Sequence, residues 1–461
     1  MRKYWPILLI LAVSALTHFA YFGYPDQTVF DEVHFGKFIS GYFTGQYFFD
    51  IHPPLGKLLI SGIGYVSGFK PGFSFADIGD PFPDKQYLWL RLLPTLAGML
   101  LPLVLYGIAR QLGWRRKSAL LVGLLTALES ALLVQSRFIL LDSLLLLFGF
   151  SALYFYLRFY NAPHRSRGLL YAGILAALAG SIKWTGFSFL GLIVVVELWR
   201  IYRRPFTEAT AAHWLIHRTK IILISLLCLI VIPVAIYFGI FAVHFKLLPN
   251  SGPGDAFMSP EFQSGLVGNP YQESLDQAQD KPNLIGKFIE LNREMYRSNQ
   301  NLSATHPYGS QWYSWPLMAR PIYYWNNDEP GTSRHIYLLG NPLIWWASTV
   351  GMIFILLQFI QAIWKKNLAF GLFLIVFGFL VNWLPFAAIG RVMFLYHYFI
   401  ALLFAILGLG YLAQEHKIGR WPLAACVILA AITFVYFSPL SYGLPAPTAK
   451  TDQLMWFENW R

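Results

Sequence analysis

Long apolar segments alternate with short polar ones along most of the chain. Eleven segments are apolar enough, and close enough to the roughly 20 residues that cross a bilayer as a helix, to be interpreted as transmembrane helices. They cover residues 4–23, 87–109, 118–136, 138–157, 169–183, 185–199, 221–243, 336–360, 367–385, 392–412 and 421–438. The pattern predicts an all-α, polytopic membrane protein with about 11 spans.

Two long polar segments, 24–86 and 244–335, and a polar tail, 439–461, lie between and after these spans. The first contains a short, glycine-rich apolar stretch at 55–66, which predicts a helix lying in the membrane interface. In the second, apolar residues recur at helical spacing from Leu284 to Tyr296, which predicts a surface helix on the bilayer or on the protein. We treat residues 1–461 as a single transmembrane domain.

The orientation of the chain follows from its basic residues, because cytoplasmic loops are enriched in Lys and Arg. We interpret the first apolar segment as a retained helix rather than a cleaved signal peptide, with its N-terminus in the cytoplasm. The inner segments then contain Arg2, Lys3, Arg110, Arg115, Arg116, Lys117, Arg158, Arg165, Arg167, Arg200, Arg203, Arg204, Arg218, Lys220, Lys365, Lys366, Lys417 and Arg420. Both long loops and the tail are therefore predicted to lie outside.

Composition agrees with a membrane protein. The 461 residues are 56% hydrophobic and 13% charged, with a mean hydropathy of +0.49, whereas soluble domains carry about 25% charged residues. The net charge of +12 is distributed in short clusters between apolar segments, so it indicates membrane orientation and not nucleic-acid binding. Cys228 and Cys426 lie within apolar segments, which argues against a disulfide framework.

The candidate chemistry begins with two adjacent carboxylates, Asp31 and Glu32, at the predicted outer face. Four cations that the orientation rule does not require share that face: Arg91, Arg137, Lys183 and Arg391. Carboxylates and cations together at one membrane face suggest a site for a lipid-borne phosphate, with the cations binding the phosphate. Each cation alone could instead anchor to headgroups or lie at a helix C-terminus.

Other ionisable residues are assigned more weakly. Asp31, Glu32, His34, Asp50 and His52 offer oxygen and nitrogen ligands, but their spacing matches no compact metal motif, so no metal or other cofactor is expected to be required. We interpret Glu129, Asp142 and Glu197, which lie in or near spans, as helix-packing or capping residues.

Several segments, in the same order along the chain, resemble the dolichyl-phosphate-mannose–protein mannosyltransferases, or protein O-mannosyltransferases. The resemblance covers about residues 25–400. It is carried by Asp31–Lys37, Phe48–Lys57, Arg91–Pro94, Gln135–Ser143, Lys183–Gly186, Gly252–Ala256 with Met258 and Ser259, His306–Ser310 with Trp312, Trp315 and Pro316, Gly340–Trp345, and Phe394–Tyr398.

The resemblance implies a GT-C glycosyltransferase fold and inverting transfer of mannose from a polyprenyl phosphate to Ser or Thr of an exported protein. It implies that Asp31 is the general base, since a hydroxyl is a poor nucleophile until a carboxylate accepts its proton, and that Glu32 orients or binds substrate. Arg91 and Lys183 are the first candidates for the phosphate, followed by Arg137 and Arg391. Remaining candidates for sugar, acceptor or phosphate contact are His34, Asp50, His52 and His397, of which His52 and His397 could equally be structural.

One feature departs from the eukaryotic members, which carry a β-trefoil domain of MIR repeats in the loop corresponding to 244–335. This loop has no room for that domain, so the resemblance is to a minimal, prokaryotic-type enzyme of the inner membrane. Pairing with a paralogue is not carried over, and the oligomeric state stays open. Two alternatives are a related GT-C transferase with another lipid-linked sugar or a lipid or glycan acceptor, and a transporter or scramblase. The last is disfavoured because the ionisable residues cluster at one face.

Overall fold

A computed structural model of the chain describes residues 4–162, 167–203, 211–272, 283–302 and 304–461. The fold is mostly helical, as predicted, and its apolar helices pack around one extensive hydrophobic core. Four of the basic residues used to predict the orientation, Arg2, Lys3, Arg165 and Arg204, lie outside the described ranges.

The helices follow the apolar segments closely. In the first half of the chain they span Trp5–Phe19, Glu32–Thr44, Leu55–Ser67, Tyr87–Gln111, Arg116–Ala127, Ser130–Ser136, Asp142–Asn161, Arg167–Gly180, Phe187–Tyr202, Ala211–Leu226 and Ile232–Leu247. A π-helical turn, Leu227–Val231, joins the last two into one continuous helix. In the second half they span Pro260–Ser264, Leu284–Asn301, Pro342–Trp364, Phe370–Val381, Phe399–Glu415, Arg420–Tyr442 and Thr448–Leu454.

The described part of the chain contains eight helices that are long and apolar enough to cross a membrane, or nine if one bent pair counts as a span. Two further predicted spans, 4–23 and 169–183, contain shorter apolar helices of 15 and 14 residues. Each predicted span thus contains an apolar helix. The polytopic helical fold is confirmed, and the number of about 11 spans stays a prediction.

The predicted span 118–136 is not one straight helix. It breaks around Glu129, and its two halves are bent by 55°. The buried Glu129 carboxylate accepts hydrogen bonds from the backbone N–H groups of Leu132 (2.9 Å) and Asn341 (2.7 Å). An acceptor at a helix start satisfies N–H groups that have no partner within the helix. Glu129 therefore caps the second half, in agreement with its predicted role.

The predicted span 336–360 begins too early. Residues His335–Leu338 form a strand that pairs antiparallel with Ile322–Asn326, and the helix begins only at Pro342. A second small sheet pairs Thr332–Ser333 with Ala446–Pro447 of the tail. The sequence did not predict these strands, because the apolar residues 336–339 lie just before the next helix and were counted as part of its span.

The first long loop is held by the second. The backbone N–H of Tyr47 donates to the carbonyl of Asn250 (2.9 Å), and the N–H of Gly254 donates to the carbonyl of Tyr47 (3.1 Å). A Cβ atom on Gly254 would lie 2.4 Å from the carbonyl carbon of Phe48, so only glycine permits this approach. These contacts fix the segment that leads to Asp50.

The surface helix predicted in the second loop is present as Leu284–Asn301. Its buried face includes Leu291 and Met295, whereas Ile285 and Ile289 are exposed. Because this helix approaches the large cavity described below with its C-terminal end, we call it the loop helix.

Candidate active site

A cavity of about 780 Å³ lies where the first long loop, the start of helix Asp142–Asn161, the end of the loop helix and residues 386–400 meet. Seven of the ten predicted site residues line it: Asp31, His34, Asp50, His52, Lys183, Arg391 and His397. These residues come from three distant parts of the sequence, so the fold brings together residues that the pattern of charges only placed at one face. The cavity also has an apolar part, formed by Leu145, Leu146, Phe386, Phe399 and Ile400 among others.

Asp31 lies immediately before helix Glu32–Thr44, and its carboxylate receives no hydrogen bond from the described residues. Burial raises the pKa of Asp31 to about 7; the Lys183 ammonium opposes this rise, and the carboxylates of Asp142 and Asp50 add to it. A carboxyl group with a pKa near 7 can accept a proton and release it again at neutral pH. Asp31 can therefore act on a hydroxyl group bound in the cavity.

Lys183 pairs with a carboxylate that was not among the predicted site residues. Its Nζ donates to both carboxylate oxygens of Asp142, at 2.8 and 2.9 Å, and the side-chain amide of Gln135 donates to Asp142 at 2.6 Å. Tyr324 in turn donates its hydroxyl hydrogen bond to Gln135. Asp142 therefore orients Lys183 at the cavity wall and offsets part of its charge.

Arg391 makes no hydrogen bond or ion pair with the part of the chain that is described, although it is half-buried in the cavity wall. Burial lowers the pKa of Arg391, while the nearby Tyr396 raises it, and a guanidinium stays protonated in proteins. An unpaired, partly desolvated cation is a strong binding group for an anion.

Two histidines line the same cavity. Burial, together with the positive charges of Lys183, Lys57 and Arg391, lowers the pKa of His52 well below its usual range, so its ring is neutral at pH 7. The Nδ1 atom of His397 lies 2.9 Å from the carbonyl oxygen of Phe394, which leaves Nε2 for other partners.

Asp50 and His34 complete the predicted residues in the cavity. Asp50 forms an ion pair with Lys57, a residue that the sequence analysis did not select. His34 is accessible to solvent as a residue. Partial burial of its ring and the charge of Lys37 lower its pKa, and the charge of Asp50 opposes the shift.

Glu32 and Arg91 lie behind the cavity, and neither lines it. Glu32 is fully buried, and its two oxygens accept hydrogen bonds from Arg91 (2.6 and 2.8 Å) and from the backbone N–H groups of Val29 and Ile139 (both 2.9 Å). Arg91 also donates to three backbone carbonyls of the first loop, those of Gly23, Pro25 and Gln27. Because its donors are occupied, Arg91 is not available for the predicted phosphate contact, and it positions the first loop instead. Glu32 likewise cannot touch a ligand in the cavity.

Arg137 requires the same correction. It is buried, lies outside the cavity lining, and donates to the carbonyls of Ser441 (3.1 Å) and Tyr21 (2.7 Å). Its guanidinium carbon lies 4.6 Å from the ring centroid of Tyr442, a favourable cation–π contact. Arg137 therefore joins the first loop to the end of helix Arg420–Tyr442.

The sequence analysis assigned Asp142 to packing or capping, whereas the structure places it in the cavity. The signal was available in the segment Gln135–Ser143, which carried part of the family resemblance. Lys57 had a similar signal in Phe48–Lys57. No sequence signal indicated Asn299, which lines the cavity because the end of the loop helix lies against it.

Among the described residues, no three His, Cys, Asp or Glu side chains form a cluster that could hold a metal ion. Of the residues considered as ligands, Glu32 lies behind the cavity and Asp50 is paired with Lys57. Activity without a metal stays a prediction.

Comparisons with known proteins identify the family and the fold of the chain. Residues 8–249 match the family model "Dolichyl-phosphate-mannose-protein mannosyltransferase", and residues 284–460 match "C-terminal four TMM region of protein-O-mannosyltransferase". The chain is 25% identical to dolichyl-phosphate-mannose–protein mannosyltransferase 1 of Candida albicans, covering 100% of this chain and 78% of that protein. It is 38% identical to protein O-mannosyltransferase 1 of Drosophila melanogaster, over 57% of this chain and 30% of that protein.

Solved structures show the same fold. The Saccharomyces cerevisiae protein O-mannosyltransferase Pmt1-Pmt2 complex, bound to the sugar donor, matches with a TM-score of 0.89 at 22% identity, covering 100% of this chain and 93% of the other. The Archaeoglobus fulgidus oligosaccharyltransferase matches with a TM-score of 0.51 at 14% identity, over 99% of this chain and 56% of the other. Together with the two family matches, these findings show that the chain belongs to the dolichyl-phosphate-mannose–protein mannosyltransferase family of GT-C membrane glycosyltransferases.

Proposed function

We propose that this protein transfers mannose from a polyprenyl-phosphate-mannose donor to Ser or Thr hydroxyl groups of exported polypeptides. The observation that carries the proposal is the Asp31 carboxyl group, which receives no hydrogen bond from the described residues and has a pKa of about 7, in a cavity whose wall also contains the cations Lys183 and Arg391. The identity of the donor and acceptor is extended from the names of the relatives. The active site lies on the external face of a prokaryotic cell membrane.

The composition of the cavity suits a lipid-linked sugar phosphate. Arg391 and Lys183 provide positive charge for the phosphate, and the apolar residues of the cavity, such as Leu146 and Phe399, suit the first part of the lipid chain. The ring nitrogens of His52 and His397 can form hydrogen bonds with the phosphate or the sugar. Asp50 and His34 line the same cavity and can contact the sugar or the acceptor.

The reaction needs a base and a stabilised leaving group. Asp31 accepts the proton of the acceptor hydroxyl while the oxygen of that hydroxyl forms a bond to the anomeric carbon of the sugar. The bond from that carbon to the phosphate oxygen breaks, and its electron pair stays on the lipid phosphate. Lys183 and Arg391 stabilise this developing negative charge in a site that is partly shielded from water.

A single displacement of this kind inverts the configuration at the anomeric carbon, because the acceptor attacks from the face opposite the phosphate. The carboxylate acts as base, and the cations supply the stabilisation, so no metal ion is required for the step. Retention of activity after treatment with EDTA is the result expected from this mechanism.

Mass spectrometry of a short Ser/Thr peptide, incubated with the purified protein and polyprenyl-phosphate-mannose, tests the proposal directly. We expect a hexose adduct on a Ser or Thr residue, and product with the anomeric configuration opposite to that of the donor. A matched incubation with polyprenyl-phosphate-glucose measures sugar selectivity. Transfer from glucose but not from mannose, or transfer to lipid alone, would favour a related GT-C activity instead.

A further inference from the structure

Residues 51–54 form a turn that brings His52 into the cavity. The carbonyl groups of this turn obtain their hydrogen bonds from outside it. The sequence is Ile51-His52-Pro53-Pro54, and neither proline has an N–H group to donate. Backbone carbonyl groups that are shielded from water need hydrogen-bond donors. Those of Ile51, His52 and Pro53 obtain them from two side chains outside the turn.

Lys57 supplies the first set of donors. Its side chain is only 1% exposed, and Nζ donates to the carbonyls of His52 (3.0 Å) and Pro53 (3.3 Å) and to the carboxylate of Asp50. An ammonium group has three N–H bonds, so none remains for a ligand. Lys57 does not line the large cavity, and it therefore acts on the site only through the turn.

Asn299 binds the turn from the opposite side. Its Nδ2 donates to the carbonyl of Ile51 (3.1 Å) and to that of Met295 within the loop helix (2.8 Å). The loop helix is itself attached to the membrane part of the protein, since Tyr237 donates to Asn292 at 2.6 Å. The turn is thus held between the first loop and the loop helix.

The His52 imidazole makes no hydrogen bond with the described residues, although Lys183, Arg391 and His397 are close enough to affect its charge. A neutral ring among cations can donate a hydrogen bond to an anion without adding to their repulsion. Its value depends on orientation, because a displacement of about 1 Å in a reacting assembly can reduce the rate about 100-fold.

We propose that Lys57 and Asn299 are positioning residues that hold the 51–54 turn from both sides and thereby direct His52 toward the donor phosphate. The inference rests on the proposed function, and it gives separate roles to three residues that meet at the turn. His52 contacts the phosphate, Lys57 fixes the carbonyls on its C-terminal side, and Asn299 fixes the carbonyl on its N-terminal side.

The test is a double-mutant cycle between His52 and Asn299, read out by the affinity for polyprenyl phosphate and by the donor KM and kcat. We expect His52→Ala to weaken polyprenyl-phosphate affinity about 30-fold, the loss typical of a hydrogen bond to a charged group, and Asn299→Ala about 5-fold, a partial loss of orientation. In the His52→Ala background, Asn299→Ala should have no further effect. Asn301→Ala is the matched control, because Asn301 lies at the same helix end and lines the same cavity but makes no hydrogen bond to the turn. Any loss that it causes should therefore persist unchanged in the His52→Ala background.

The second variant removes the Lys57 contact without leaving an unpaired carboxylate: Lys57→Met combined with Asp50→Asn. We expect this pair to weaken polyprenyl-phosphate affinity about 10-fold with a thermal midpoint close to that of the wild type, and to have no further effect once His52 is alanine. Multiplicative losses in either cycle, or a loss in Asn301→Ala that likewise disappears in the His52→Ala background, would overturn the inference.

The same experiment separates the inference from the proposed function. Wild-type protein that binds polyprenyl phosphate but transfers no mannose contradicts the proposed donor sugar, and the affinity cycles still decide the role of the turn. Wild-type protein that transfers mannose with multiplicative losses retains the proposed function and contradicts only the positioning role.

Discussion

Two cation–carboxylate pairs lie near Asp31, yet they have different surroundings. The side chains of Lys183 and Asp142 are each 12% exposed and line the cavity, whereas those of Arg91 and Glu32 are 0% exposed and lie behind it. The comparison shows that a buried charge at a membrane face can serve a ligand or build the wall around it. The difference lies in whether any donor or acceptor of the pair remains available.

The largest effect is expected for the buried pair. Arg91→Ala should lower the free energy of unfolding by about 3–5 kcal/mol, because it leaves the Glu32 carboxylate buried without its partner. The measurement is the thermal midpoint in detergent, compared with Lys183→Ala as the control from the other pair. If Arg91→Ala instead melts like wild type and raises the donor KM, Arg91 contacts the donor, and the distinction between the pairs fails.

The cavity-lining pair, Lys183 and Asp142, should respond in the opposite way. Lys183→Ala should reduce kcat/KM for the donor about 100-fold, because one preorganised cation near the leaving phosphate is lost, and it should change the thermal midpoint little. Steady-state kinetics with varied donor concentration provide the measurement. Destabilisation as large as that of Arg91→Ala, with unchanged kinetics, would make both pairs structural.

Arg391 extends the comparison to a cation without a carboxylate partner among the described residues. Arg391→Ala should raise the donor KM about 10-fold, which corresponds to the loss of one charge-assisted hydrogen bond, and it should leave stability unchanged, since no ion pair is broken. Arg391→Lys should recover part of the affinity by restoring the charge. An Arg391→Ala variant that unfolds at a lower temperature would show that the residue supports the fold.

The smallest effect concerns pH and stability. Burial raises the pKa of Asp31 to about 7, so the folded protein holds this proton more tightly than the unfolded chain does. The stability that this proton contributes is fully present below the ordinary carboxyl pKa and is lost as the pH rises through about 7. Asp31→Asn should therefore flatten the decline in thermal midpoint between about pH 4 and 7, which a buffer series can measure; a parallel decline in both proteins would contradict the raised pKa.

The sequence predicted the class of fold and much of the site, for identifiable reasons. Hydropathy locates a charged residue along the membrane normal, which is why Asp31, Lys183 and Arg391 were predicted to lie at the same level, and all three line one cavity. Hydropathy does not show toward which side of a helix a residue points. Arg91 and Arg137 lie near that cavity along their segments but point away from it into the protein.

Three other differences also have identifiable causes. Asp142 begins a helix, so the sequence alone could not distinguish a cap from a ligand-facing carboxylate, and its partner Lys183 lies 41 residues away. Most of the strand His335–Leu338 was interpreted as part of the following span, because its residues are mostly apolar. Its partner strand, Ile322–Asn326, is too short to show a strand pattern. The break at Glu129 could not be predicted, because one of the N–H groups that bond to its carboxylate belongs to Asn341, which is far away in the sequence.

The account depends most on Asp31 as the base. The direct measurement is mannose transfer to a Ser/Thr peptide by Asp31→Asn, together with its affinity for polyprenyl phosphate. We predict that turnover falls about 1,000-fold, as expected when a general base is removed, while polyprenyl phosphate binds with near wild-type affinity because Lys183 and Arg391 are unchanged. Near-normal turnover by Asp31→Asn would contradict the assignment of Asp31 as the base.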